Sequence, residues 1–294
     1  MKKRFQLHFI NQIQGQLLRE AIADWGISKR ALTAIKFDGG ALYVNGEERN
    51  VRHPLHVGDE VTIVFPLEQV SDGLTAQQGK LDIVYEDEAL LIINKPPFMS
   101  SIPSREHPDG SIANLVCGYF EQQQLASTVH IVTRLDRDTS GLMIIAKHRH
   151  IHHLMSEQQK RGQVHRQYDA IVEGIISADF QSIIAPIGRK ETSIIEREVR
   201  ADGQFAHTDV TVLARTSNAT YIRLTLHTGR THQIRVHMAS IGHPLVGDDL
   251  YGGSRTQINR QALHCCYVQF EHPLTKQLLI FESELPADIA KLLI

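Results

Sequence analysis

The run Val132-Thr133-Arg134-Leu135-Asp136-Arg137-Asp138-Thr139-Ser140-Gly141 says more about this chain than any other stretch. A strand-like apolar segment ends at its start (residues 129–132), and another opens at its end (residues 142–146). Between them lie two arginines, two aspartates and a Thr-Ser-Gly turn. A carboxylate held between sheet strands, with an arginine on either side, is costly unless it pairs or does chemistry. Loops placed by a rigid sheet are where reactive residues tend to lie. The same residues also read as a plain polar hairpin in which Asp138 and Ser140 bond their own backbone.

Two later segments decide between these readings. One is His165-Arg166-Gln167-Tyr168-Asp169-Ala170-Ile171-Val172-Glu173-Gly174, a strand with a tyrosine in its middle. The other is Leu226-His227-Thr228-Gly229-Arg230-Thr231-His232-Gln233-Ile234-Arg235-Val236-His237-Met238, followed by Gly242-His243-Pro244-Leu245-Val246-Gly247-Asp248. Together the three segments resemble the RluA family of pseudouridine synthases. Its signature is Arg-Leu-Asp before a Thr-Ser-Gly turn, then a strand tyrosine, then Gly-Arg-x-His-Gln-(Ile/Leu)-Arg-x-His. The resemblance spans roughly residues 80–290. One departure stands out: the family's usual His before Arg-Leu-Asp is Thr133 here, which is expected to alter packing around the loop rather than abolish activity.

Strand-like runs outnumber helical ones, and the two do not alternate regularly. That pattern predicts an α+β fold with a mixed, largely antiparallel central sheet, and the resemblance makes it the pseudouridine synthase fold. Residues 1–66 read as a separate small α+β module. Leu17, Leu18, Ala21, Ile22 and Trp25 recur at helical spacing before Gly26. Ser28 caps a second helix over 29–37, which Asp38-Gly39-Gly40 ends. Asn45-Gly46 suits a type I′ hairpin turn, and Gly58-Asp59 leads into a last strand. This order is similar to the αL RNA-binding motif shared with a ribosomal small-subunit protein. In that family the start of the second helix docks RNA, which here means Ser28, Lys29 and Arg30. A packing module without RNA contact remains the alternative. Residues 67–80 lack apolar periodicity and read as a linker; residues 81–294 form the catalytic domain.

The resemblance assigns Asp136 as the catalytic carboxylate, Tyr168 as the ring that stacks under a flipped uracil, and Arg235 as the partner that orients Asp136. It places Arg134 in the vacated base stack. Arg230, His232 and Gln233 become phosphate contacts or supports, and Asn94 and Lys95 hold RNA backbone at the cleft mouth. Pseudouridine formation breaks a glycosidic bond, turns the freed uracil and rejoins it through carbon 5. It calls for no redox change, phosphoryl donor or metal, so no cofactor is expected. The act of Asp136 stays open: addition to the base, attack on the anomeric carbon, or removal of the sugar 2′ proton.

Composition is compatible with this. At 294 residues and 42% hydrophobic, the chain can bury a large core. No run of 18 apolar residues is present, so no membrane span is expected. The basic start, Met1-Lys2-Lys3-Arg4, has no apolar region behind it, which argues against secretion. Three cysteines make no disulfide framework. A cytoplasmic monomer is expected. The net charge of −2 does not announce a polyanion binder, so RNA must be met by local basic patches: Lys2, Lys3, Arg4, Arg19, Lys29, Arg30 and Lys36 in one, Lys147, Arg149, Lys160, Arg161 and Arg166 in another. The run His148-Arg149-His150-Ile151-His152-His153 looks like a metal cluster, but only His148 and His152 share a helix face and no carboxylate or thiol is near in sequence. It is read as a solvated or phosphate-facing patch, with no metal site. His264-Cys265-Cys266 is read as core.

Ribosomal RNA is the expected partner, ahead of transfer RNA. Two other classes remain. One is a non-catalytic RNA-binding or ribosome-assembly protein on the same fold. The other is a carboxylate-dependent nucleoside or glycoside hydrolase, which would want a second placed acid.

Overall fold

A computed structural model describes residues 4–104 and 107–293; Lys2 and Lys3 of the basic start lie outside them. The N-terminal unit comprises β1 (Gln6–Ile10), α1 (Leu18–Asp24), α2 (Lys29–Phe37), β2 (Ala41–Val44), β3 (Glu47–Glu48) and β4 (Glu60–Val64). Its four strands form an antiparallel sheet in the order β1-β4-β2-β3. Asn45 and Gly46 both take positive φ (51° and 83°), as a type I′ turn demands. Leu18, Ala21, Ile22 and Ile35 from the helices bury against Leu42, Val44, Val61 and Ile63 of the sheet.

The second unit runs β5 (Ile83–Glu86), β6 (Leu90–Lys95), α3 (Ile112–Gln122), β7 (His130–Ile131), β8 (Ser140–Ala146), α4 (Arg149–Lys160), β9 (His165–Glu173), β10 (Phe180–Ile184), β11 (Ile187–Arg189), β12 (Arg197–Val199), β13 (His207–Arg215), β14 (Ala219–Leu226), α5 (Gln233–Ser240), β15 (Leu263–Glu271), β16 (Leu278–Glu282) and α6 (Ala287–Ala290). The large sheet has the order β10-β13-β14-β9-β15-β8-β6-β5, with β16 on β15 and β7 on β8. Every pairing is antiparallel except β8 with β15, so the sheet is mixed and largely antiparallel. Strands covered on both faces read as unbroken apolar runs. Leu90 to Ile93 and Leu142 to Ala146 are such runs, and both are buried, with Ile112, Val116 and Phe120 of α3 and Ile151 and Met155 of α4 in the same core.

The parallel contact of β8 with β15 is very close. A Cβ on Gly141 would stand 2.3 Å from the Cys265 carbonyl oxygen, at a φ of 115°. Only glycine fits there, and it closes the turn that follows Asp136. Cys265 and Cys266 lie buried in β15, as expected of core residues.

Three expectations need correction. The strand before the central loop is the two-residue β7 rather than 129–132. The amides of Val132 and Thr133 both turn to the Ile144 carbonyl, and the Thr133 hydroxyl accepts from the Ile144 amide at 2.9 Å. Thr133 thus ends the ladder, and its hydroxyl takes over a backbone hydrogen bond. The hairpin reading of Ser140 also fails, because its hydroxyl bonds His264 Nδ1 at 2.9 Å across the sheet.

The histidine run, expected to be solvated, is partly interior. His148 and His150 are buried, stacked on Phe5 (4.0 Å between centroids) and Phe65 (5.2 Å) of the first unit. Neutral imidazoles make good aromatic partners, and burial holds both pKa values down to about 4. Residues 67–80 hold no helix or strand, and hydrogen bonds fasten them to the second unit. The Asn114 amide donates to Thr75 O, the Gln77 amide donates to Asn114 O, and Glu68 accepts from the Arg149 amide. A Cβ on Gly118 of α3 would come within 2.1 Å of Gln77 O, so the chain lies flat on that helix.

Candidate active site

The loop between β7 and β8 is strung from its main chain. Ser101 Oγ donates to Leu135 O (2.6 Å) and accepts from Leu135 N (3.1 Å). The Met99 amide donates to Arg137 O, and the Thr139 amide closes a turn on Asp136 O. Arg260, wholly buried, reaches Asp138 O, and Gln261 bonds Thr139 Oγ1. These contacts leave the Asp136 carboxylate projecting into a small cleft of about 80 Å³, lined among others by Arg134, Thr139, Arg166, Tyr168, Arg230, His232 and Arg235.

Asp136 is met from α5. Arg235 Nη1 donates to its Oδ2 at 3.1 Å. The same guanidinium forks onto Asp248, with Nε at 2.7 Å and Nη2 at 2.8 Å, and lies 5.0 Å from the Tyr251 ring centroid. Burial works against its charge, but Asp248 and then Asp136 outweigh that and push its pKa above the usual arginine value. His232, the residue before α5, takes a left-handed backbone (φ 58°). Non-glycine residues hold that conformation at a cost, and it recurs at functional sites. Its Nδ1 bonds Tyr251 OH at 2.8 Å, and its Nε2 stands 3.9 Å from Asp136. Tyr168 is buried on β9, where desolvation drives its hydroxyl's pKa upward and keeps the phenol neutral.

The structure brings Asp136, Tyr168, Arg235, Arg134, Arg230, His232 and Gln233 to one cleft. Arg134 is exposed at its rim. Arg230 reaches Phe205 O and Gln204. Gln233 is buried and braces the loop through Thr228, Arg230 N, His207 O and Thr208. Asn94 and Lys95 are not at the cleft mouth. Asn94 bonds Asp82. Lys95 is 1% exposed, and its three protons go to the carbonyls of Pro96 (2.8 Å), Met99 (2.8 Å) and Arg137 (2.9 Å). It is therefore an internal strut of the Asp136 loop with nothing left to offer RNA. Burial pulls its pKa down to about 7 against the pull of Asp138 and Asp136, yet only the protonated amine satisfies all three carbonyls. Ser28, Lys29 and Arg30 lie far along the chain at the start of α2. The Ser28 hydroxyl caps the helix by accepting from Ala31 N, and Lys29 and Arg30 are exposed.

Asp248 and Tyr251 were not assigned from sequence, and Arg166 was read only as one member of a basic patch. Asp248 could have been suspected, since it ends a Gly-Asp turn that follows the arginine helix. Arg166 could have been found by strand alternation, two residues from Tyr168. Beyond the cleft, Asp209 joins His207 (3.1 Å), His227 (2.6 Å) and Ser182 (2.7 Å). These groups satisfy one another and tie β10, β13 and the end of β14 together.

A buried arginine is thus clamped by two carboxylates, one of them open to a cleft lined by a neutral tyrosine. Comparison with known proteins supplies the family. Residues 89–240 match the family model described as RNA pseudouridylate synthase. The chain is 52% identical over 276 residues to the uncharacterized RNA pseudouridine synthase YjbO of Bacillus subtilis, covering 94% of this chain and 98% of that one. It is 37% identical over 299 residues to the ribosomal large subunit pseudouridine synthase D of Pseudomonas aeruginosa, covering 97% and 90%. The solved structure of human RNA pseudouridylate synthase domain containing 1 superposes with a TM-score of 0.59 at 24% identity, over 71% of this chain and 86% of that one, and shares the fold. The chain belongs to the RluA family of RNA pseudouridine synthases. It is an isomerase that acts on RNA. No helix among the described residues is long and apolar enough to cross a membrane.

Proposed function

We propose that this enzyme isomerises a uridine of ribosomal large-subunit RNA, with Asp136 as the carboxylate that acts on the target nucleotide. One observation carries the reading: Asp136 Oδ2 stands 3.1 Å from Arg235, in the cleft that Tyr168 walls. The clamp aims the carboxylate, and the buried ring of Tyr168 offers a face for a stacked base. The cleft has room for little more than one flat ring, so the uridine must arrive extruded, at a cost of a few kcal/mol. Arg134, exposed beside Asp136, is the side chain in position to fill the vacated stack. Arg230 lies at the rim, where phosphates pass. Isomerisation conserves atoms and electrons, so the reaction draws on no cofactor.

The ribosomal substrate is supported by the activity named for the Pseudomonas relative. RNA contact by the N-terminal unit is supported by exposed Lys29 and Arg30 at the positive end of α2, and by Lys36, Arg49 and Arg52 beside a groove of about 720 Å³ on the same unit. Three buried free cysteines suit a reducing cytoplasm, and we take the working form to be a monomer.

The experiment is tritium release from RNA labelled at carbon 5 of uridine, since the new bond expels that hydrogen. Wild type is expected to release label from unmodified large-subunit RNA, and Asp136→Ala to release none while still binding. Release from transfer RNA alone would move the substrate. Full release by Asp136→Ala would remove the carboxylate from its role.

A further inference from the structure

Four arginines line the cleft, and three are accounted for. Arg235 is clamped, Arg230 holds Phe205 O and Gln204, and Arg134 stands in solvent. Arg166 differs. It is half-buried, its Nε is sealed from solvent, and no acceptor among the described residues lies within hydrogen-bond reach of that atom. It sits two residues before Tyr168 on β9, so the two side chains leave the same face of the strand. Its guanidinium lies over Gly229, where a Cβ would stand 3.0 Å from Nη2. A side chain at 229 would crowd the guanidinium, and glycine leaves its place open.

A buried polar atom without a partner calls for an explanation. Arg166 and Gly229, which its Nη2 approaches, both line the cleft, so an acceptor that fills the cleft comes within reach of the guanidinium. Two kinds of oxygen enter the cleft: phosphate oxygens at the rim and uracil carbonyls inside. Arg166 lines the cleft beside Tyr168, where the second would lie, and its sealed Nε leaves the Nη groups to meet it. When the C1′–N1 bond breaks, its electron pair leaves with the uracil and spreads onto O2 and O4. The ring turns, the pair returns through C5 to C1′, the C5 proton is lost and N1 takes up a proton, so the product is an isomer of the substrate.

We propose that Arg166 hydrogen-bonds a carbonyl oxygen of the detached uracil and stabilises its negative charge until carbon 5 is joined. This rests on the reading of Asp136 as the acting carboxylate. Arg166 donates hydrogen bonds and transfers no proton.

The test compares wild type with Arg166→Met, Arg166→Lys and Arg166→Ala, the last with and without millimolar methylguanidinium. Single-turnover tritium release is measured at saturating RNA, and RNA affinity is measured across a range of salt. The expected result for Arg166→Met is unchanged affinity and salt slope, with a rate lower by on the order of 10²–10³, the loss seen when one donor to a developing anion is removed. Lysine should recover part of the rate, and methylguanidinium part of the Arg166→Ala rate. Weaker binding with a salt slope reduced by about 1, at an unchanged saturated rate, would make Arg166 a phosphate contact and overturn the proposal. So would a rate lost together with thermal stability that neither lysine nor methylguanidinium restores, since that marks a packing role. If Asp136→Ala keeps full activity, the carboxylate reading itself fails and this inference goes with it, whatever Arg166 does.

Discussion

Asp248 touches nothing that reacts, yet its removal is expected to damage both the fold and the chemistry. In Asp248→Ala the fork on Arg235, at 2.7 and 2.8 Å, is lost. The arginine side chain is 9% exposed and Asp248 is 1% exposed, so water does not replace the carboxylate easily. Two charge-assisted hydrogen bonds contribute about 1.5–3 kcal/mol each. Breaking a buried pair from one side costs about 3–5 kcal/mol, because a charge is left behind. At roughly 2–4 °C per kcal/mol for a domain of this size, the melting temperature should fall by about 6–20 °C. Arg235 then has only Asp136 to hold, and a shift of about 1 Å in a positioned group is worth about 10²-fold in rate. Asp249→Ala is the control. Asp249 pairs with Arg255 at 2.7 Å, but both are about half exposed, so less than ~1 kcal/mol should be lost. Thermal unfolding and single-turnover tritium release measure the two effects. If Asp248→Ala melts and turns over like Asp249→Ala, Arg235 is not positioned by Asp248 and the clamp is the wrong account of the site.

Three further outcomes are expected. Lys95→Met strands three carbonyls that the ammonium now satisfies, at a cost of at least ~1–3 kcal/mol. The folded pKa of Lys95 is about 7 against 10.5 unfolded, so the unfolded chain holds the extra proton between those values. Wild type should therefore gain stability relative to Lys95→Met as pH rises from 7 towards 10.5, and a flat difference in urea unfolding would contradict it. His148 and His150 titrate near 4 when folded and near 6.5 when free. Protonation then favours the unfolded chain, and stability should fall as pH drops from 6.5 towards 4, by at most ~1.4 kcal/mol per pH unit per histidine. His148→Phe should flatten part of that slope in acid unfolding curves, and an unaltered slope would show that His148 does not carry it. Lys29→Gln with Arg30→Gln should weaken RNA binding and lower the slope of log affinity against log salt by about 2; an unchanged slope would take RNA off the start of α2.

The parts legible in the sequence were those whose cause is local. Asn45-Gly46 set a hairpin by its own backbone preference, Ser28 capped the helix after it, and the apolar runs at 90–93 and 142–146 announced covered strands. The grouping of Asp136, Tyr168 and Arg235 came from resemblance, since they are far apart in the chain. What escaped was decided by distant partners. Lys95, after a strand and before two prolines, looked like a surface base, and nothing nearby indicated a cage of carbonyls from Met99 and Arg137. His148 and His150 looked solvated because the rings that cover them, Phe5 and Phe65, are more than 80 residues away. The short β10, β11 and β12 lacked a clear alternating pattern, and Phe180, Ile184 and Val199 stay exposed in the folded chain.

The strap of residues 67–80 changes how the two units could share one RNA. A floppy tether offers its second grip at an effective concentration that decays with length. Here the tether is laid along α3, and the first unit is seated on His148 and His150. If Lys29 and Arg30 hold RNA as proposed, the fold works as a ruler with one graduation between that grip and Asp136. Choosing a uridine then becomes partly a measurement of distance. An RNA with a suitable base but no handle one span away gains nothing from the second grip, and lengthening or loosening the strap should blur the choice before it slows the chemistry.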